Sequence, residues 1–142
     1  MFPYPSFTLF SIFTLGSIIF GIATPSVNVT ATAIVTVAAA SGYGGGNKYY
    51  LDSVEAPTIN LSEGSTYLFD QSDSSNSGHL LKFSTTSDGT HNSGVQYTTG
   101  VTTVGTPGNA GAYTQIVVAS GAPTLYYYCT NHSGMGGQVN TP

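Results

Sequence analysis

Apolar and polar residues alternate along this chain in short runs, and turn residues separate the runs at fairly regular spacing. In residues 32–38 (TAIVTVA), Val35 and Val37 face one way and Ile34 and Thr36 the other, the period of two that a strand requires. The glycine-rich stretch 41–46 (SGYGGG) ends that run. Further strands are predicted over residues 47–52 (NKYYLD), 58–61, 65–70 (STYLFD) and 79–84 (HLLKFS), with the polar tract 71–78 (QSDSSNSG) as the loop before the last. The Gly/Thr/Asn-rich connection 85–111 holds one more strand, around 95–101. Residues 112–119 (AYTQIVVA) and 124–129 (TLYYYC) are the last strong strands, and 136–140 makes a short closing one. No helical period of useful length appears. Eight or so strands in about 110 residues predict an all-β fold, an antiparallel β-sandwich.

The amino terminus follows a different pattern. Residues 7–23 (FTLFSIFTLGSIIFGIA) form an uncharged apolar run between Pro5 and Pro25. A helix needs about 20 apolar residues to span a bilayer, with a lower limit near 17. The run therefore suits a secretory signal core or a marginal membrane anchor, although residues 1–6 contain no Lys or Arg. The expected organisation is a hydrophobic leader or anchor and linker over residues 1–30, then one domain over 31–142. Export follows from that reading: periplasmic, extracellular or membrane-anchored, with membrane contact through residues 7–23.

Composition narrows the function. Only Lys48 and Lys82 are basic among 142 residues, and the formal charge is −4. Two cations neutralise too few phosphates for nucleic-acid binding. Ten Tyr and seven Phe supply bulk for a core. Cys129 is the single cysteine, so no internal disulfide staples the chain. A lone thiol in an exported chain invites another explanation, such as a metal.

The chemistry lies near the carboxyl end. The segment 126–137 (YYYCTNHSGMGG) sets Cys129, His132 and Met135 at C-x2-H-x2-M, so one loop leaving a strand offers three donors. Thiolate and imidazole bind copper or zinc well, while a thioether favours copper. Two imidazoles and a thiolate with a weak axial thioether make the blue-copper arrangement. A second histidine is then needed, and His79 is well placed at the start of an apolar strand, 50 residues upstream.

These residues carry a resemblance. Gly78-His79, followed by Cys129-x2-His132-x2-Met135 at the end of an all-β chain, resembles the cupredoxins, the type 1 copper family of plastocyanin, azurin and amicyanin. The loop spacing is similar to the short amicyanin-like one, and the likeness covers roughly residues 31–142. The Tyr-Tyr-Cys-Thr-Asn-His segment is also similar to cupredoxin-like modules of marine microbial and phage proteins. The resemblance implies a Greek-key β-sandwich holding one copper per chain near one pole. It implies His79, Cys129 and His132 as equatorial ligands and Met135 as the axial one. Two departures stand out. His79 is followed by Leu80 rather than the Asn that often ties the ligand loops, so Asn76 or Thr130 is expected to fix Cys129 instead. Only seven residues follow Met135, and a thin closing strand would leave the ligand loop free to move.

Each residue also has an ordinary role to set against this one. Cys129 alone is a small buried apolar group, Met135 is packing, His132 is an exposed loop residue, and His79 caps a strand end. His91, in the loop DGTHNS, has no donor neighbours in sequence and is expected to be solvated. Tyr127 shares the Cys129 face and belongs to the core, while Tyr126 and Tyr128 point the other way and cover a neighbouring element. The leading function is one-electron Cu(I)/Cu(II) transfer to a transient redox partner protein. No paired carboxylates or nucleophile–base set suggests an enzyme. The rivals are a structural, surface- or virion-displayed module and a copper carrier.

Overall fold

The computed structural model describes residues 26–28 and 32–142, so the apolar run 7–23 lies outside the described residues. Two six-stranded sheets make up the domain. One has the order β1 (Ser26–Asn28), β5 (Thr58–Asn60), β12 (Gly137–Asn140), β11 (Leu125–Cys129), β7 (Leu81–Ser84), β8 (Gln96–Tyr97). The other runs β4 (Val54–Glu55), β3 (Asn47–Leu51), β2 (Thr32–Ala39), β6 (Thr66–Asp70), β10 (Tyr113–Val117), β9 (Val101–Val104). No helix among the described residues is long and apolar enough to cross a membrane.

Alternation explains which residues meet between the sheets. Ala33 and Val35 of β2, Tyr49 and Leu51 of β3, and Tyr67 and Phe69 of β6 are buried from one side. Leu81 and Phe83 of β7, Leu125, Tyr127 and Cys129 of β11, and Val139 of β12 are buried from the other, in one apolar cluster. Ring pairs join the layers. Phe69 meets Phe83 edge-on with centroids 5.5 Å apart, and Tyr49 meets Tyr127 at 6.4 Å. Each fully buried side chain of this size contributes about 1.5–3 kcal/mol relative to exposure.

The all-β sandwich expected from the sequence is present, but its sheets are mixed rather than antiparallel throughout. β1 runs parallel to β5, β12 to β5, and β2 to β6. The chain changes sheet between β4 and β5 and again between β5 and β6, so these three strands, consecutive in sequence, are not hairpin partners. Patterning specifies a strand's buried face but not its neighbour. Ser26–Asn28, assigned from the sequence to the linker, adds a strand at the sheet edge. The closing strand is not thin: β12 lies between β11 and β5 and is paired on both sides.

Candidate metal centre

Strand register brings two distant stretches together. β7 and β11 are antiparallel neighbours with Leu81 opposite Cys129, so the residues just before β7 lie beside the end of β11. His79 sits two residues before Leu81, and Thr130 N–H donates to the Leu80 carbonyl at 3.1 Å, extending the ladder past the strand ends. Asn131 Nδ2 then donates to the Gly78 carbonyl at 2.8 Å. These two bonds tie the ligand loops. Asn76, expected to steady Cys129, instead donates to the Val35 and Asp73 carbonyls and accepts from Gln71.

The ligand atoms converge. Cys129 Sγ lies 3.7 Å from His79 Nδ1 and 3.6 Å from His132 Nδ1, and donor atoms of all three residues fall within 4.8 Å of one another. The two imidazole rings stand 4.5 Å apart. Whether one ion fits can be read from these separations. With bonds of about 2.3 Å to sulfur and about 2.0 Å to nitrogen, donors sit about 3.5 Å apart at a tetrahedral angle and about 3.7 Å at a trigonal one. At a right angle they would approach to about 3.1 Å. The observed sulfur–nitrogen spacing fits a tetrahedral or trigonal ion.

Burial is graded across the site. Cys129 is fully buried, His79 is half-buried and His132 is exposed. Burial first, and the neighbouring His132 second, hold His79 below the ordinary imidazole value, which favours the neutral form a metal needs. Met135 is 1% exposed and joins the apolar core, yet it lines with His132 a surface depression of about 420 Å³ whose rim includes Gly46, Asn47 and Asn131. His79, Cys129 and His132 thus come together, and Met135 shares the depression with His132. Gly136 follows because its backbone presses on the Tyr127 carbonyl, leaving no room for a Cβ.

A buried polar frame, not foreseen from the sequence, fixes the backbone at His79. The His79 carbonyl accepts from Tyr49 OH at 2.8 Å and from Gln71 Nε2 at 2.7 Å. Gln71 Oε1 accepts from Leu81 N–H at 3.0 Å, and Thr114 Oγ1 donates to the Leu81 carbonyl at 2.8 Å. Tyr49 also reaches the downstream loop, its N–H donating to the Met135 carbonyl at 2.9 Å. Burial, and then the adjacent Cys129 sulfur, push the Tyr49 phenol far above its ordinary range, so it stays a donor. A signal for both residues was available. Inward alternation through Tyr67 and Phe69 reaches Gln71 at the next step, and Tyr49 shares the Leu51 face.

His91 is also placed differently from expectation. Its ring remains exposed, but Nε2 lies 2.8 Å from the Cys129 carbonyl, so the residue is bonded to the site rather than merely solvated. Comparison with protein-family models, curated proteins and solved structures finds no match.

Proposed function

We propose that this protein is a type 1 copper electron carrier of the cupredoxin kind, with His79, Cys129 and His132 holding one copper ion and Met135 as a weak axial donor. One observation carries the reading: a buried sulfur and two imidazole nitrogens converge at 3.6–3.7 Å from stretches 50 residues apart. Thiolate and thioether together favour copper over zinc. Bound copper supplies one-electron exchange between Cu(I) and Cu(II). The chain supplies the rest: Tyr49 and Gln71 fix His79, the β7–β11 ladder fixes Cys129, and the apolar core excludes water behind the sulfur. A frame this rigid limits rearrangement between oxidation states.

The same reading includes Greek-key winding, export or anchoring through residues 7–23, and a transient redox partner; virion display fits it equally. The rim around His132 carries Asn and Gly rather than charge, so a partner docks weakly and with little salt dependence. The exposure of His132 favours one second reading, copper carriage, in which the ion leaves readily through that depression. A visible spectrum after one equivalent of Cu(II) tests the proposal. An intense blue band that bleaches with mild reductant and returns on oxidation is expected. No band overturns the proposal and leaves a scaffold module. A band whose copper passes to a chelator within seconds favours the carrier.

A further inference from the structure

The turn at Gly89–Asn92 supplies no metal donor, yet it grips the ligand loop near both ends. Asp88 Oδ1 accepts from Gly134 N–H at 2.9 Å. His91 Nε2 lies 2.8 Å from the Cys129 carbonyl oxygen, which can only accept, so Nε2 carries the proton. Cys129 and Gly134 bracket most of the loop that offers Cys129, His132 and Met135. The Lys48 ammonium donates to the Gly134 carbonyl, so that residue is held through both of its backbone polar groups.

Packing reinforces the grip. His91 meets Tyr128 edge-on at 6.3 Å and 83°, and Gly89 lies so close to the same ring that a Cβ there would stand 2.6 Å from three of its carbons. Asp88, Gly89 and Ser93 all adopt left-handed backbone, with φ of 59°, 53° and 59°. Non-glycine residues keep that conformation only where their surroundings enforce it. Ser84 anchors the base, its hydroxyl donating to the Val95 carbonyl at 2.7 Å and accepting from Thr86 N–H at 3.0 Å.

We propose that the 86–93 turn is a brace that holds the 129–135 loop in its metal-binding shape before any ion arrives, with Asp88 and His91 as positioning residues. The brace's purpose rests on the copper reading, but its hydrogen bonds go to backbone groups of the loop and not to the donor atoms. A loop already in shape loses less conformational freedom when it closes on an ion, so binding is tighter and release slower.

The test uses the full chain with Asp88→Ala, and Asp88→Asn as the conservative variant that keeps an acceptor oxygen and tolerates left-handed backbone. In metal-free protein, Gly134 amide exchange is expected to rise about 10-fold or more in Asp88→Ala and to recover in Asp88→Asn, with β6 and β10 amides unchanged. After loading with Cu(II), Asp88→Ala is expected to lose copper to a chelator about 10-fold faster than the parent. Equal Gly134 exchange in parent and Asp88→Ala overturns the brace, whatever copper does. Faster exchange with unchanged copper release overturns its role at the metal. A parent chain that binds no copper overturns the copper reading instead, while the exchange result still decides whether the turn holds the loop.

Discussion

Replacing Gln71 by leucine keeps the side-chain volume but removes the amide that links three parts of the site. Gln71 is fully buried and makes three bonds: to the His79 carbonyl, to Asn76 Oδ1, and from Leu81 N–H. The His79 carbonyl keeps Tyr49 OH as a donor, so two groups, Leu81 N–H and Asn76 Oδ1, lose the partner Gln71 gave them. A buried polar group left unpaired costs about 1–3 kcal/mol. Two of them, about 4 kcal/mol together and offset by about 2 kcal/mol from the burial of leucine, leave a net loss of about 2 kcal/mol. For a domain of this size that lowers the melting midpoint by about 9 °C. Urea unfolding of the metal-free protein measures it, and an unchanged m-value is required so that the loss refers to the folded state. A loss under about 0.5 kcal/mol would refute the reasoning, since it would mean that water or a shifted backbone satisfies those groups.

Three other outcomes are expected. Gly136→Ala forces a Cβ into the Tyr127 carbonyl and should cost about 3 kcal/mol in urea unfolding; a neutral result would mean that the loop leaving Met135 can move aside. Met135→Leu conserves volume and should cost less than about 1.5 kcal/mol, while copper is still bound and the reduction potential shifts in voltammetry. An unchanged potential would remove Met135 from the metal's surroundings. Hydrogen bonds from Ser75 hold Asp73 below the ordinary carboxylate range, and those from Ser41 do the same for Glu55. Their stabilisation is present above that range and lost as pH falls through the lowered values, so the melting midpoint should drop on acidification below about pH 4. Asp73→Asn should make that drop shallower, and an equal slope would exclude Asp73 as a contributor.

Much of the fold was legible because burial on one face imposes alternation. β2, β3, β6, β10 and β11 fall within a residue or two of the predicted runs. The strand expected around 95–101 is instead two, β8 and β9, in different sheets, because Gly100 takes a left-handed turn between them. Strand partners were not legible, since the parallel pairs depend on crossings between sheets that no local pattern records. The candidate donors were legible from residue type and spacing, as Cys129, His132 and Met135 lie within one short segment. Their supports were hidden for a different reason. Gln71 opens a stretch that reads as loop but continues the inward face of β6, and His91 reaches Cys129 from 38 residues away. Tyr128 does cover a neighbouring element as expected, and that element is the Gly89–Asn92 turn.

X-ray absorption at the copper edge of the loaded protein tests the central claim most directly. The account predicts one short copper–sulfur bond and two copper–nitrogen bonds, little changed between oxidation states, with the sulfur lost in Cys129→Ala and one nitrogen lost in His79→Ala. A shell of nitrogen and oxygen alone, or a spectrum indifferent to both substitutions, would contradict it.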